Sequence, residues 1–286
     1  MTERGTTGPQ IHRTVADLRR ALAAERTGGR RIALVPTMGA LHEGHLSLVR
    51  KGFALADAVV VSIFVNPTQF APHEDFDAYP RTEASDVDKL AAFGVGHVFA
   101  PSAREMYPDG FCTAVSLGGP ALGLETDFRP HFFSGVAVVV AKLLLAVLPD
   151  VAVFGEKDYQ QLLVIRQLVR DLNMPVEIVG APTLRETDGL AMSSRNAYLD
   201  PQARRTAATL YATLADTAAR LAADPGDLAA LDDGCRRLEQ AGFRVDYLAL
   251  RDAATLAPLE AASDRPRRLL VAAWLGQTRL IDNIPA

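Results

Sequence analysis

The sequence predicts an α/β fold, with a doubly wound parallel sheet over residues 1–183 and a smaller C-terminal α+β domain over residues 184–286. Three observations carry this. Short, β-branched apolar runs alternate with amphipathic stretches through the first two thirds of the chain. After about Thr183 the alternation gives way to alanine-rich helical segments and then to short strands. The distinctive polar clusters stand directly behind predicted strands, at the carboxyl ends where an open parallel sheet binds its ligands.

In chain order, a helix is expected near Thr14–Arg26. Ile32–Pro36, Val59–Val65, His97–Ala100, Val151–Phe154 and Val176–Val179 read as buried strands, each brief and bounded by Gly, Pro or polar residues. Between them Leu46–Ala56, Ser85–Phe93, Gly135–Leu148 and Gln160–Leu172 repeat apolar residues at helical spacing. Strand–helix–strand alternation implies a parallel sheet covered on both faces. Gln202–Ala223 and Leu228–Ala241 follow as helices around a turn at Asp224–Pro225–Gly226. Val245–Leu250, Leu269–Leu275 and Arg279–Ile284 then close the chain as strands.

Hydrophobic residues make up 49% of the 286 residues and charged residues 22%, the balance of a soluble globular protein. The net charge of −4 and the lack of a basic arm argue against a nucleic-acid partner, since phosphate contacts need clustered cations. Cys112 and Cys235 are too few for a disulfide framework and lack metal-ligand spacing, which suits a reducing compartment. Met1–Gln10 has no apolar core of a signal peptide. Val136–Leu148, broken by Lys142, is too short for a membrane span. A cytoplasmic protein with no membrane partner is therefore expected. Lysine occurs only at Lys51, Lys89, Lys142 and Lys157, so each merits attention in a chain that otherwise uses arginine.

Four clusters bear chemistry. In Met38-Gly39-Ala40-Leu41-His42-Glu43-Gly44-His45, a helix starting near His42 puts His42 and His45 on one face at its positive end, suited to phosphate. Alone, H-x-G-H is a weak motif that a surface accident or half a metal site would also explain. In Asn66-Pro67-Thr68-Gln69-Phe70, Gln69 offers both donor and acceptor to a hydroxy acid, and Ala71–Thr82 beyond it reads as a lid. In Gly155-Glu156-Lys157-Asp158, Lys157 is a flexible point charge able to follow a moving phosphate. Asp158 suits a helix cap or a ribose, and Gln161 stands one turn further. In Met192-Ser193-Ser194-Arg195, two hydroxyls and a guanidinium in succession suit terminal phosphate oxygens, or a simple helix cap.

Taken together, VPTMGALHEGH, IFVNPTQF, DAYPRT, FGEKDYQQL and LAMSSRNAYL resemble the pantothenate synthetases of the H-x-G-H nucleotidyltransferase superfamily, a resemblance that runs from about Ile32 to Ile284. The resemblance implies a Rossmann-type domain with a smaller lid domain, usually in a homodimer. It also implies a ligase that condenses pantoate with β-alanine through an acyl-adenylate, releasing AMP and pyrophosphate. ATP is then a substrate carrying Mg2+, and no organic prosthetic group is needed. By the same resemblance Met38–His45, Gly155, Glu156, Lys157, Asp158, Leu184, Met192, Ser193, Ser194 and Arg195 bind ATP. Gln69 and Gln161 hold pantoate, and Gln69 borders β-alanine. His42, His45 and Lys157 stabilise phosphate charge, His45 being the usual nominee for proton donor. The family's R-P-x-H-F-x-G-V is departed from at Arg129–Val136, where His131 stands one position early and Phe132 takes its place, so His131 is not counted in the site.

Two other readings compete. A nucleotidyltransferase would use H-x-G-H equally well but leave the nucleotide on its product. A catalytically dead nucleotide-binding module would bind ATP without exchange chemistry. A tRNA-charging role fits the acidic balance poorly.

Overall fold

The apolar runs of the first two thirds become strands because both of their faces are covered: Ala33, Leu34, Val35, Val60, Val61, Val151, Ala152 and Val153 are fully buried. The computed structural model describes residues 8–70, 75–259 and 264–286. The first seven residues and residues 71–74 of the expected lid thus lie outside the described residues. The chain begins β1 (Gln10–His12), α1 (Val15–Thr27), β2 (Ile32–Thr37), α2 (Glu43–Leu55), β3 (Ala58–Ile63), α3 (Glu83–Ala92) and β4 (His97–Phe99). It continues α4 (Ala103–Met106), α5 (Glu125–Phe128), α6 (Phe132–Val147), β5 (Val151–Gly155), α7 (Tyr159–Asp171) and β6 (Glu177–Ala181). It ends α8 (Pro201–Ala207), α9 (Thr209–Ala223), α10 (Ala229–Gln240), β7 (Phe243–Asp252), β8 (Arg267–Leu275) and β9 (Thr278–Pro285).

Two compact units emerge. Unit 1 takes residues 1–116, 131–155 and 165–181, and unit 2 takes residues 117–130, 156–164 and 182–286. In unit 1 six parallel strands lie in the order β1-β4-β3-β2-β5-β6. From β2 the chain winds outward through β3 and β4, then returns to place β5 on the other side of β2. The winding therefore reverses between β2 and β5, the point at which an open α/β sheet opens a ligand crevice. Its core joins Val35, Val59, Val61 and Val153 of the sheet to Leu46, Val49 and Leu90 of the helices.

Unit 2 is built on the antiparallel sheet β7-β8-β9. Leu210, Leu214 and Leu221 of α9 and Leu238 of α10 pack with Phe243, Leu269 and Val271 of this sheet. No helix among the described residues is long and apolar enough to cross a membrane.

The structure adds α4 and α5, short helices that were not expected, and differs from expectation further at β1 and between α8 and α9. β1 is an edge strand of three residues, too short to show a period. α2 starts at Glu43 with His42 as its cap, where the H-x-G-H motif placed the helix start, ahead of the apolar pattern that begins at Leu46. The single helix expected over Gln202–Ala223 breaks at Ala208 into α8 and α9, next to the fully buried Ala207, a break that an alanine-rich run does not signal.

Candidate active site

Behind β2, a tight turn leads into α2. Gly39 has φ +84° and Ala40 φ +50°, a left-handed pair that costs about 1 kcal/mol at the alanine and needs external support. A buried carboxylate provides it. Asp86 of α3, 0% exposed, accepts from Ala40 N through Oδ2 and from Leu41 N through Oδ1, both at 2.8 Å. Thr82 Oγ1 donates to Asp86 Oδ2 at 3.1 Å, and Lys89 Nζ donates to Leu41 O at 2.7 Å. A Cβ on Gly39 would stand 3.2 Å from Asp86 Oδ2 and from Ile63 Cγ2, so the turn sits close against both.

The turn delivers His42 to the N-cap of α2. His42 Nδ1 accepts from Gly44 N at 3.1 Å, and His45 Nδ1 accepts from His42 N at a longer 3.4 Å. An imidazole nitrogen that accepts is unprotonated, so the tautomer these two contacts require has Nε2 as its N–H donor. The two rings lie 4.1 Å apart at the positive end of the α2 dipole. Their Nε2–H groups and this dipole end suit a phosphate oxygen. Gly155, the last residue of β5, stands across the reversal point from this turn, and a Cβ there would lie 4.0 Å from Leu48 Cδ2 of α2.

Gln69 ends a 3-10 turn, Pro67–Gln69, that follows β3. Asn66, 1% exposed, accepts through Oδ1 from Tyr107 Oη at 2.7 Å and from Thr68 Oγ1 at 3.1 Å. Burial raises the Tyr107 phenol above its ordinary value, while Thr68 and Asn66 pull the other way. Gly135 of α6 completes the seat: a Cβ there would stand 2.2 Å from Thr68 O.

The remaining candidates belong to unit 2. Glu156–Asp158 form a 3-10 turn running straight into α7, with Lys157 Nζ 3.9 Å from Asp158 Oδ1. Both backbone carbonyls of Glu156 and Lys157 accept from Asn283 Nδ2, at 2.9 and 2.8 Å. The adjacent glutamines divide their work. Gln160, 4% exposed, donates to Pro120 O and Gly123 O at 3.0 Å and accepts from Glu125 N at 3.1 Å, whereas Gln161 is only partly buried.

Leu184 and Met192, well separated in sequence, meet across a small hairpin. Met192 N donates to Leu184 O at 3.0 Å, and Arg185 bridges Ala191. Gly189 closes it at φ +90°, against Tyr211, where a Cβ would lie 2.3 Å from Cδ1. Arg185 forks onto Asp282 at 2.6 and 3.0 Å and stacks 4.1 Å over the Tyr211 ring. Ser193 Oγ accepts from Arg195 N at 3.3 Å, so this hydroxyl caps the following turn and leaves Ser194 and Arg195 at its start.

Asp86, Asn66 and Asn283 support these turns without being candidates from sequence. Two of them carry a signal: Asn66 opens the cluster that holds Gln69, and Asp86 shares with Leu90 the stripe that α3 buries, where a carboxylate requires a partner.

Residues 10–285 match the pantoate–β-alanine ligase family. The chain is 56% identical to a pantothenate synthetase of Rhodopseudomonas palustris (strain HaA2) over 96% of its length and 98% of the relative's. It is 57% identical to another from Bradyrhizobium sp. (strain BTAi1 / ATCC BAA-1182), with the same coverage. Among solved structures, a pantothenate synthetase from Thermus thermophilus superposes with a TM-score of 0.90 at 48% identity, covering 96% of this chain and 98% of that one. A pantoate–β-alanine ligase from Francisella tularensis, in complex with β,γ-ATP and β-alanine, superposes with a TM-score of 0.82 at 34% identity and 97% coverage of both. With fold, motif order and nearly the full length in agreement, this chain belongs to the pantoate–β-alanine ligase family, the pantothenate synthetases.

Proposed function

We propose that this ligase makes pantothenate in two steps through a pantoyl-adenylate. A pantoate carboxylate oxygen attacks the α-phosphorus of ATP and the bond to pyrophosphate breaks. The β-alanine amine nitrogen then attacks the acyl carbon, the bond to AMP breaks, and the amine gives up its proton. No enzyme nucleophile is needed, since the substrate carboxylate is one already. The protein has to offset repulsion between anions, align the attack and keep water from the adenylate.

In this reading Met38–His45 and Gly155–Asp158 hold ATP, with Nε2–H of His42 and His45 and the ammonium of Lys157 meeting the phosphates. Leu184 and Met192–Arg195 complete the nucleotide contacts. Gln69 and Gln161 take pantoate, and Gln69 borders β-alanine. In this reading Mg2+ enters on the phosphate oxygens of ATP. The homodimer and the cytoplasmic setting rest on the resemblance and composition, and light scattering of the purified chain tests the first.

The observation that carries the reading is the placing of the H-x-G-H turn and of Gly155 at the carboxyl ends of β2 and β5, the strands flanking the reversal point of the sheet. The deciding experiment is exchange of labelled pyrophosphate into ATP. Exchange is expected with pantoate and without β-alanine, with AMP appearing once β-alanine is added. Exchange that demands β-alanine would rule out the separate adenylate.

A further inference from the structure

Lys157 sits on a turn whose backbone is held by a residue 126 positions away in the chain. Asn283 of β9 is 3% exposed and spends both amide protons on this turn, one on Glu156 O at 2.9 Å and one on Lys157 O at 2.8 Å. Its Oδ1 accepts from Arg268 Nε at 2.7 Å. A guanidinium only donates and carbonyls only accept, so just one orientation of the amide satisfies all three partners. Arg268 is fixed in turn: it is 8% exposed, its guanidinium lies 4.0 Å over the Tyr159 ring, and it stands 3.6 Å from the Glu156 carboxylate. Asn283 itself is paired with Leu270 in the sheet, beside Asp282, which is held by the Arg185 fork.

A lysine side chain has a long flexible stem, so the protein can preorganise its charge only by fixing the backbone from which it springs. Two hydrogen bonds to successive carbonyls do that without touching the ammonium. We propose that Asn283 is a positioning residue for Lys157, oriented by Arg268, and that it acts on the reaction through the turn 156–158. This deepens the proposed function and rests on the assignment of Lys157 to the phosphates.

The test is a double-mutant cycle on the full-length enzyme, read as kcat and KM for pantoate-dependent pyrophosphate–ATP exchange, with thermal unfolding followed alongside. Asn283→Ala is expected to lower kcat about ten- to a hundredfold, the scale of a misplaced reacting group. In a Lys157→Ala background the same change is expected to alter kcat by less than about twofold, since the group it positions is gone. Equal losses in the two backgrounds, or no loss in either, would overturn the proposal. Asn283→Asp keeps the shape and the acceptor for Arg268 while removing both donors; it goes through the same cycle should the alanine variant not fold. If Lys157→Ala alone exchanges at the full rate, the assignment of Lys157 falls. If Lys157→Ala is slow but Asn283→Ala is additive with it, only the positioning role falls.

Discussion

The two units secure their candidate turns in opposite ways. In unit 1 the H-x-G-H turn is closed largely by its own neighbours: His42 and His45 each accept from a backbone N–H two or three residues away, and one buried carboxylate, Asp86, braces the strained start. In unit 2 the Lys157 turn is tied to β9, and the Leu184–Met192 hairpin is tied to the same strand through Asp282. The first arrangement resembles a motif that folds where it is written. The second is a scaffold in which the C-terminal strand governs residues placed long before it. A local change should therefore damage unit 1 at one turn, whereas a change in β9 should reach two segments of unit 2 together.

The largest effect expected is in unit 2. Lys157→Ala removes a charge, and although its stem is only 20% exposed, the Asn283 bonds that hold the turn go to backbone carbonyls and survive the substitution. A loss of about 10²–10³ in kcat is expected for adenylate formation, with little change in thermal stability. A folded variant of unchanged rate would take Lys157 out of the mechanism and erase the functional half of the comparison.

In unit 1 the corresponding test is Asp86→Ala. Here rate and stability should fall together. Two backbone N–H groups lose a buried charged acceptor, and the left-handed Ala40 loses its brace, so a destabilisation of about 3 kcal/mol is expected, with a raised KM for ATP. Denaturant unfolding measures the first and exchange kinetics the second. Stability preserved with ATP affinity intact would show that the turn holds itself.

How much could be read in advance follows from the same contrast. β2, β3 and β5 were legible because burial on both faces leaves an uninterrupted apolar run, and the H-x-G-H turn because three-residue spacing on a helix is a local property; β1 was not expected, and β6, expected as a buried strand, is mostly half-buried. The meeting of Leu184 with Met192 was not, because it depends on Gly189 closing a hairpin over Tyr211. Asn283 was invisible for a stronger reason: a lone asparagine in a strand has no periodic signature, and the groups its amide donates to are carbonyls, which every residue has. Gln160 and Gln161 show the limit at single-residue scale. Side by side in one motif, they differ only in which face of α7 they occupy, and only the fold separates the buried one from the other.

That pair gives a smaller and sharper test. Gln160→Ala removes donors to Pro120 O and Gly123 O and the acceptor of Glu125 N, so it should cost about 1–3 kcal/mol of stability with little effect on KM for pantoate. Gln161→Ala should do the reverse, raising KM for pantoate and leaving unfolding nearly unchanged. An effect of Gln161→Ala confined to ATP affinity would contradict its assignment.

The smallest effect concerns acid, where the buried polar groups of the two units also differ. In unit 1 His12 Nε2 lies 3.1 Å from His97 Nδ1, and His97 Nε2 lies 3.2 Å from Glu25 Oε1, joining β1, β4 and α1. Burial, and then the neighbouring His97, lower the His12 pKa below its ordinary value, against a weaker pull from Asp17. A histidine whose folded value is depressed contributes stability that is whole above the unfolded value of about 6.5 and is lost as pH falls through the folded one. In unit 2 Glu125 would be raised by its burial, but Arg279, bonded at 2.7 Å, and Tyr247 outweigh that and hold it below the ordinary range. Its contribution is whole above the unfolded value of about 4.3 and fades only as pH falls through a folded value lower still. Acid should thus loosen unit 1 first. The protection factors of the β1 and β4 amides, corrected for the intrinsic pH dependence of exchange, are expected to fall as pH drops below about 6.5 while those of β7 and β9 hold, and His12→Gln should flatten the unit 1 response. Simultaneous loosening of both sheets, or an unchanged profile in His12→Gln, would mean that the two interiors do not answer acid through these groups.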